Sequence, residues 1–327
     1  MKITQTPNCR QRGSPSIYLR LSVTPECNLR CRYCRPGRST AEGPRASLLN
    51  DDELVALVSS IDRVRPIRKL RFTGGEPLLK PDLPDLVARF GRLLPGAEFC
   101  LTTNGVLLKE KARAIRRAGV TALNVSLDTT DDEVFRRLTR TGGLRRVIDG
   151  IEAARAARFS RLKLNSVLLR SFNSHQISSL VGIAARNECE IRFVELMPIG
   201  QGATLFDREF LSAEEALEKM KGLYSYRGPR SPSATAQRHL FEVEGREVTI
   251  GFITSVSHPF CRGCDRIRLD SAGRIYSCLR DERGDALVQL MRAGKEEELK
   301  ERIACSLVGG RGMEKNWPER QMVQLGG

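Results

Sequence analysis

Three cysteines, Cys27, Cys31 and Cys34, stand in a Cys-x3-Cys-x2-Cys spacing just after the alternating apolar segment 18–24, so a strand delivers all three into one loop. Clusters of the four-iron kind are held by cysteine thiolates, normally four of them. A compact set of three leaves one iron open, which suggests chemistry rather than passive electron conduction. Structural zinc wants four ligands, often in Cys-x2-4-Cys pairs, and this loop holds no fourth Cys or His. A second set, Cys261, Cys264 and Cys278, has Cys-x2-Cys-x13-Cys spacing. Alone it would also suit a zinc knuckle, with Cys305 completing the ligands, but a second open cluster facing the first suits a bound substrate better. Cys9, Cys100, Cys189 and Cys305 otherwise read as packing or surface residues.

Two further patterns could bind a ligand. Residues 73–77 read Thr-Gly-Gly-Glu-Pro at the end of a strand pattern, where adjacent glycines let backbone come close to a ligand and offer it amides and carbonyls. Arg266 and Arg268 are two apart, hence on one face of a strand, and carry planar positive forks suited to phosphate.

The elements that position these groups recur as strand followed by helix. Strand patterns cover 18–24, 69–73, 98–103, 122–128, 161–169 and 190–197, with helical patterns near 51–64, 82–93, 108–118, 131–140, 143–158 and 174–187. Repeated βα units predict a parallel sheet with right-handed crossovers. One strand face is apolar, with Leu19, Leu21, Leu70, Phe72, Leu123, Val125, Ile191 and Phe193. The other carries Arg20, Lys69, Arg71, Thr102, Asn124, Ser126, Lys163 and Arg192. A sheet covered by helices on both faces could not bury that second set, whereas a barrel holding a polar ligand could. Complete eight-stranded barrels fill with apolar layers, so the expectation is an incomplete six-unit (β/α) barrel. The rhythm stops near residue 200. Beyond it, hairpins are expected over 239–254, turning at Glu244-Gly245, and over 267–277, turning at Ala272-Gly273, then helices near 285–293 and 295–304. The predicted organisation is α/β: a partial barrel over 1–200 and a smaller α+β cap with the second cysteine set over 201–327.

The chain has 327 residues and a formal charge of 54 − 39 = +15, which points to an anionic partner. With 6% aromatic residues and no recognisable nucleic-acid signature, the charge argues for something other than polynucleotide, and Arg113, Arg116 and Arg117 read as a solvated helix face. No signal-peptide pattern and no run of about 18 apolar residues is present, so a cytoplasmic location without membrane is expected. Ten cysteines in a reducing compartment point to metal or redox use.

These features resemble the radical S-adenosylmethionine (SAM) enzymes, in which three cysteines hold a 4Fe-4S cluster and SAM chelates the open iron. The runs at 19–24, 71–77, 101–105, 124–128, 191–195 and 251–257, with the terminal Gly326-Gly327, look like the GTP 3′,8-cyclase family of molybdenum cofactor biosynthesis over nearly the whole chain. The resemblance implies two 4Fe-4S clusters, on Cys27, Cys31 and Cys34 and on Cys261, Cys264 and Cys278. It implies that Tyr33, Gly75, Ser126 and Met197 contact SAM. Arg20, Arg71, Thr102, Lys163, Arg266, Ile267 and Arg268 would contact GTP, and Gly326 and Gly327 would reach toward the active site. Arg192 could be a ligand contact or a structural ion pair. The reaction implied is abstraction of the 3′ hydrogen of GTP by a 5′-deoxyadenosyl radical, then attack on carbon 8 of guanine. The partners implied are GTP, a reductant protein and the next enzyme, cyclic pyranopterin monophosphate synthase; a homodimer is compatible. Two rivals are another radical SAM enzyme with an auxiliary cluster, of the peptide-maturase type, and a metal-stabilised nucleic-acid-binding protein. Both leave features unexplained, the first the Arg266/Arg268 pair and the second the Gly-Gly-Glu-Pro loop.

Overall fold

Strand-helix alternation over the first two hundred residues becomes strand-helix alternation in space. The computed structural model describes residues 16–36, 48–233, 235–261, 264–308 and 316–322. In chain order it forms β1 (Ile17–Ser22), α1 (Asp51–Val64), β2 (Ile67–Thr73), α2 (Leu83–Leu93), β3 (Glu98–Thr103), α3 (Leu108–Arg117), β4 (Ala122–Ser126), α4 (Asp132–Thr139), α5 (Leu144–Ala156), β5 (Arg161–Leu168), α6 (Ile177–Arg186) and β6 (Glu190–Glu195). Helix starts are locally encoded. Asn50 accepts from the Glu53 amide while the Glu53 carboxylate accepts from the Asn50 amide, so two orphan donors of α1 are satisfied reciprocally.

The remainder forms α7 (Gln201–Glu209), α8 (Ala213–Leu223), β7 (Ser225–Ser233), β8 (Ala236–Val243), β9 (Arg246–Ile253), β10 (Arg266–Leu269), β11 (Arg274–Tyr276), β12 (Asp285–Ala286), α9 (Val288–Arg292) and α10 (Glu296–Val308). Both anticipated hairpins are present. Glu244 and Gly245 have φ of 51° and 73°, the left-handed pair that a two-residue hairpin needs to match strand twist. The hairpins do not build a sheet of their own, however. β10 pairs in parallel with β1, and β9 pairs in parallel with β6, so each extends one edge of the six-stranded array. The strand order is β12-β11-β10-β1-β2-β3-β4-β5-β6-β9-β8-β7. Local periodicity predicts a hairpin; it carries no information about which distant edge the hairpin joins.

The apolar strand face packs under helices. Leu19, Leu70, Phe72, Leu123 and Phe193 are fully buried with Leu57, Phe90, Ile115, Ile151 and Leu180 from the helices. Each such side chain contributes about 1.5–3 kcal/mol by leaving water. Phe72 meets Phe90 and Phe99 at centroid distances of 5.8 and 6.2 Å. The helices cover this face only, which leaves the polar face turned inward. Among the described residues, no helix is long and apolar enough to cross a membrane.

Candidate functional site

The first cysteine loop leaves β1 and is held by backbone on two sides. The amides of Arg30 and Arg32 donate to the carbonyls of Thr139 and Leu138 at 2.9 Å each, which ties it to the end of α4. The Asn104 amide group donates to Asn28 at 2.7 Å and approaches the Cys27 sulfur at 3.7 Å, and the Leu29 amide donates to that sulfur at 3.4 Å. Burial pushes the Cys27 thiol up, and burial followed by the nearby Cys34 pushes Cys31 well up. Buried thiols crowded in this way become thiolates only if a positive centre joins them, and the sulfur-directed donors suit a cluster's anionic sulfurs. Among the described residues no three Cys, His, Asp or Glu side chains converge as they would on a single ion. A cluster of several irons instead needs its thiolates spread around it, and the three cysteines fit that group in donor type and burial.

The glycine loop after β2 is explained by its own chain. The Gly75 and Glu76 amides donate to the carbonyls of Thr24 and Glu26 at 2.7 and 2.6 Å. A Cβ on Gly75 would lie 2.1 Å from the Glu26 oxygen. The close approach expected toward a ligand is therefore, at these two amides, an approach to the segment leading into the cysteine loop. The Glu76 carboxylate accepts from the Asn104 amide, the Thr103 hydroxyl and the Leu78 amide at 2.7, 2.7 and 3.0 Å, while burial pushes it up to about 7. Gly75 and Glu76 thereby lock three loops together.

The second cysteine loop is organised by Asp281, which accepts from the Ser277 hydroxyl and the Cys278 amide at 2.8 Å each. The Arg280 amide donates to the Cys278 sulfur at 3.4 Å, and burial pushes that thiol up. The Arg280 guanidinium stacks 3.9 Å from the Trp317 ring centroid, and Arg320 lies 4.2 Å from that of Tyr276. These contacts draw residues 316–322 across the second loop.

One cavity of about 350 Å³ receives both loops. All six cysteines line it, together with Tyr33, Gly75, Ser126 and Met197, and with Arg20, Thr102, Arg266 and Arg268. Its walls include both β10 and the end of β9, from opposite edges of the parallel array, so the array curls around it. Three anticipated residues do not line it. Arg71 is buried behind it, donating to the Tyr18 hydroxyl and to Leu101 and Thr102 oxygens at 3.2 and 3.1 Å. Lys163 donates to Glu190 at 2.8 Å. Ile267 sits in the apolar core, so its side chain faces the helices. Gly326, Gly327 and Cys9 lie outside the described residues.

Positive charge is concentrated on the inner face. Burial, with Arg71 and Arg266 opposing the charge further and Tyr18 favouring it, lowers Arg20 to about 10; burial and then Arg20 and Arg266 push Arg268 well down. Burial alone would raise the Tyr18 phenol, but Arg71, Arg20 and Arg266 together bring it down to about 8. Sequence reasoning passed over Tyr18, because a tyrosine at a strand start is ordinarily packing. It also passed over three acids. Asp128 accepts from the Tyr33 hydroxyl at 2.7 Å and the Val167 amide at 2.8 Å, and burial brings it up to about 6. Fully buried Glu195 accepts from the Ala213, Val256 and Ser257 amides at 3.1, 2.9 and 2.9 Å, joining β6 to the segment before the second loop. Glu190 binds Lys163 and Arg192, with Arg238 3.6 Å away. A carboxylate at the end of a buried strand was the available signal for Asp128 and Glu195.

Comparison with known proteins agrees with this layout. The family model for the radical SAM superfamily matches residues 21–182, and that named Molybdenum Cofactor Synthesis C matches 189–309. Proteins named GTP 3′,8-cyclase are similar over most of the chain. The one from Streptomyces coelicolor is 36% identical over 96% of this chain and 95% of its own. Those from Pseudomonas fluorescens and Rhodopirellula baltica are 39% and 36% identical over 88% and 86% of this chain, and 86% and 79% of their own. Among solved structures, Streptococcus suis SuiB shares the fold, with a TM-score of 0.61 at 14% identity over 84% of this chain and 64% of its own.

Proposed function

The chain belongs to the GTP 3′,8-cyclase family of radical SAM enzymes, and from that premise we propose that its cavity holds GTP between two iron-sulfur centres. It is a radical SAM enzyme using a 4Fe-4S cluster and SAM, and its reaction joins the 3′ carbon of GTP to carbon 8 of the guanine in molybdenum cofactor biosynthesis. The observation that carries the arrangement is the meeting of both cysteine triads with Arg20, Arg266 and Arg268 around a single cavity.

When bound, the cluster and SAM supply an organic radical; the chain supplies position. Cys27, Cys31 and Cys34 would hold the catalytic cluster, with Tyr33, Gly75, Ser126 and Met197 around SAM. Tyr33 is oriented by Asp128, and the Gly75 loop by the backbone of 24–26. Cys261, Cys264 and Cys278 would hold the second cluster and face the guanine. The Arg20, Arg266 and Arg268 guanidiniums suit a triphosphate, since each loses less by burial once an anion joins it. Arg71 and Lys163 form the wall behind, within the same inner face. Residues 1–200 would form the SAM-binding part and 201–327 the part that completes the substrate site. Gly326 and Gly327 would enter the cavity beyond Met322, which already lines it. A reductant protein would supply electrons, the product would pass to cyclic pyranopterin monophosphate synthase, and a homodimer is compatible with these roles.

The test is an anaerobic assay of reconstituted protein with SAM, GTP and a strong chemical reductant. GTP-dependent release of 5′-deoxyadenosine and a cyclised product is expected. Deoxyadenosine without change in GTP would overturn the substrate assignment. Deleting Gly326 and Gly327 is expected to remove cyclisation while leaving iron content unchanged.

A further inference from the structure

The first cysteine loop interleaves its cysteines with arginines: Arg30, Cys31, Arg32, then Cys34 and Arg35. The fold separates Arg30 and Arg32 from the cysteines, while Arg35 stays at the cavity. The cysteines turn toward the cavity, while Arg30 and Arg32 are exposed on the outer side. The backbone bonds from this loop to Leu138 and Thr139 bring it beside exposed Arg137 and Arg140 at the end of α4. Arg32 donates to the Arg137 carbonyl at 2.8 Å, and Arg140 donates to the carbonyls of Arg30 and Arg35 at 3.3 and 3.0 Å. These bonds orient the guanidiniums without neutralising them. The acids of α4, Asp132 and Glu133 with the N-cap Asp131, are at its other end, and Asp132 is spent on Arg136. Elsewhere the surface differs in sign: α10 opens with exposed Glu296, Glu297 and Glu298.

We propose that the face made by Arg30, Arg32, Arg137 and Arg140 docks a small acidic iron-sulfur electron carrier of the ferredoxin kind. The inference rests on the radical SAM reading of the Cys27, Cys31 and Cys34 loop. Complementary charge steers encounter and fixes orientation, and these four residues belong to, or touch, the segment that carries the cysteines. A carrier seated there has only the loop between its own centre and the cluster, and ferredoxin clusters reach the low potentials such a reduction needs. One electron leaves the carrier's reduced centre and enters the cluster; no atom or proton is transferred.

The experiment titrates a purified acidic ferredoxin, fluorescently labelled, into the iron-loaded protein at low and high salt. The double variant Arg30→Glu/Arg137→Glu is expected to weaken binding at least tenfold at low salt, with the difference from the unaltered protein fading at high salt. Arg113→Glu/Arg117→Glu on α3, with the same charge change, should bind within threefold of it. The Arg30 side chain makes no hydrogen bond or ion pair among the described residues, so Arg30→Glu alone serves if Arg137→Glu disturbs packing over Phe172. Deoxyadenosine formation with dithionite should be the same within twofold in all of them. Equal weakening by both double variants, or none by the first, overturns the docking face. Binding of a flavodoxin but not of ferredoxin overturns the choice of partner. Failure of the unaltered protein with dithionite strikes the radical SAM reading instead.

Discussion

Two basic groups occupy the inner face of the strands, and they are balanced differently. Lys163, Arg192 and Arg238 gather around one carboxylate, Glu190. Arg20, Arg71 and Arg266 gather around a phenol, Tyr18, which they pull down to about 8, and Arg268 adjoins them. The first group carries its own carboxylate and stands behind the cavity lining. The second relies on a weak acid that ionises only in part near neutral pH. In a barrel interior, cations gathered around a phenol have more to gain from an external anion than cations gathered around a carboxylate.

The largest test of this contrast is Arg268→Ala. If the second group grips the triphosphate, kcat/KM for GTP should fall by about 100–1000-fold, equivalent to about 3–4 kcal/mol, with SAM cleavage in the absence of GTP unchanged. A loss below fivefold would erase the distinction. Glu190→Gln probes the other group and should act in two opposed ways. The folded protein should lose about 3 kcal/mol, because three half-buried cations lose their counter-charge. The KM for GTP should fall severalfold, because Lys163 and Arg192 are then released toward phosphate. Denaturant melts and steady-state kinetics separate the two, and lower stability with unchanged KM would make the group purely structural.

A pH profile sharpens the same point. Burial, and then Arg192, lower Lys163 from 10.5 to about 8 in the folded protein. Above that value the folded state holds neutral lysine while the unfolded chain keeps its proton, so stability should rise from pH 8 toward 10.5. Lys163 is held by Glu190 behind the cavity, so its loss of charge should leave the KM for GTP within about twofold across this range; a climb above pH 8 that Lys163→Met flattens would instead place it on the phosphate. The smallest effect expected is from Tyr18→Phe, which removes the hydroxyl that Arg71 bonds. A loss of about 1 kcal/mol in denaturant melts is expected, with the tyrosinate absorbance that titrates near pH 8 gone.

How far these groups could be read beforehand varies with the distance between partners. Alternation sorted Leu19, Phe72 and Val125 from Arg20, Arg71 and Ser126, and the structure buries the first set under helices and turns the second inward. Spacing alone singled out both cysteine sets. The Gly75 case went differently: the close approach was legible, but its partner, Glu26 in the segment before the cysteines, was not. Glu195 stood at the end of a recognised pattern, yet its bonds run to Val256 and Ser257 across the C-terminal region. Residues 203–238 had no legible periodic role and fold as α7, α8, β7 and the start of β8.

By itself the sequence determined which side chains share a strand face, where the turns fall and which thiols travel together, because these depend on the period of the backbone and on neighbours a few residues apart. Only the tertiary structure decided that β10 lies beside β1 and β9 beside β6, and hence that Arg266 and Arg268 join Arg20, and Cys278 joins Cys27, around one cavity. The physical reason is that a strand edge offers the same amides and carbonyls whatever its sequence, so the choice of neighbour is made by packing across the whole chain.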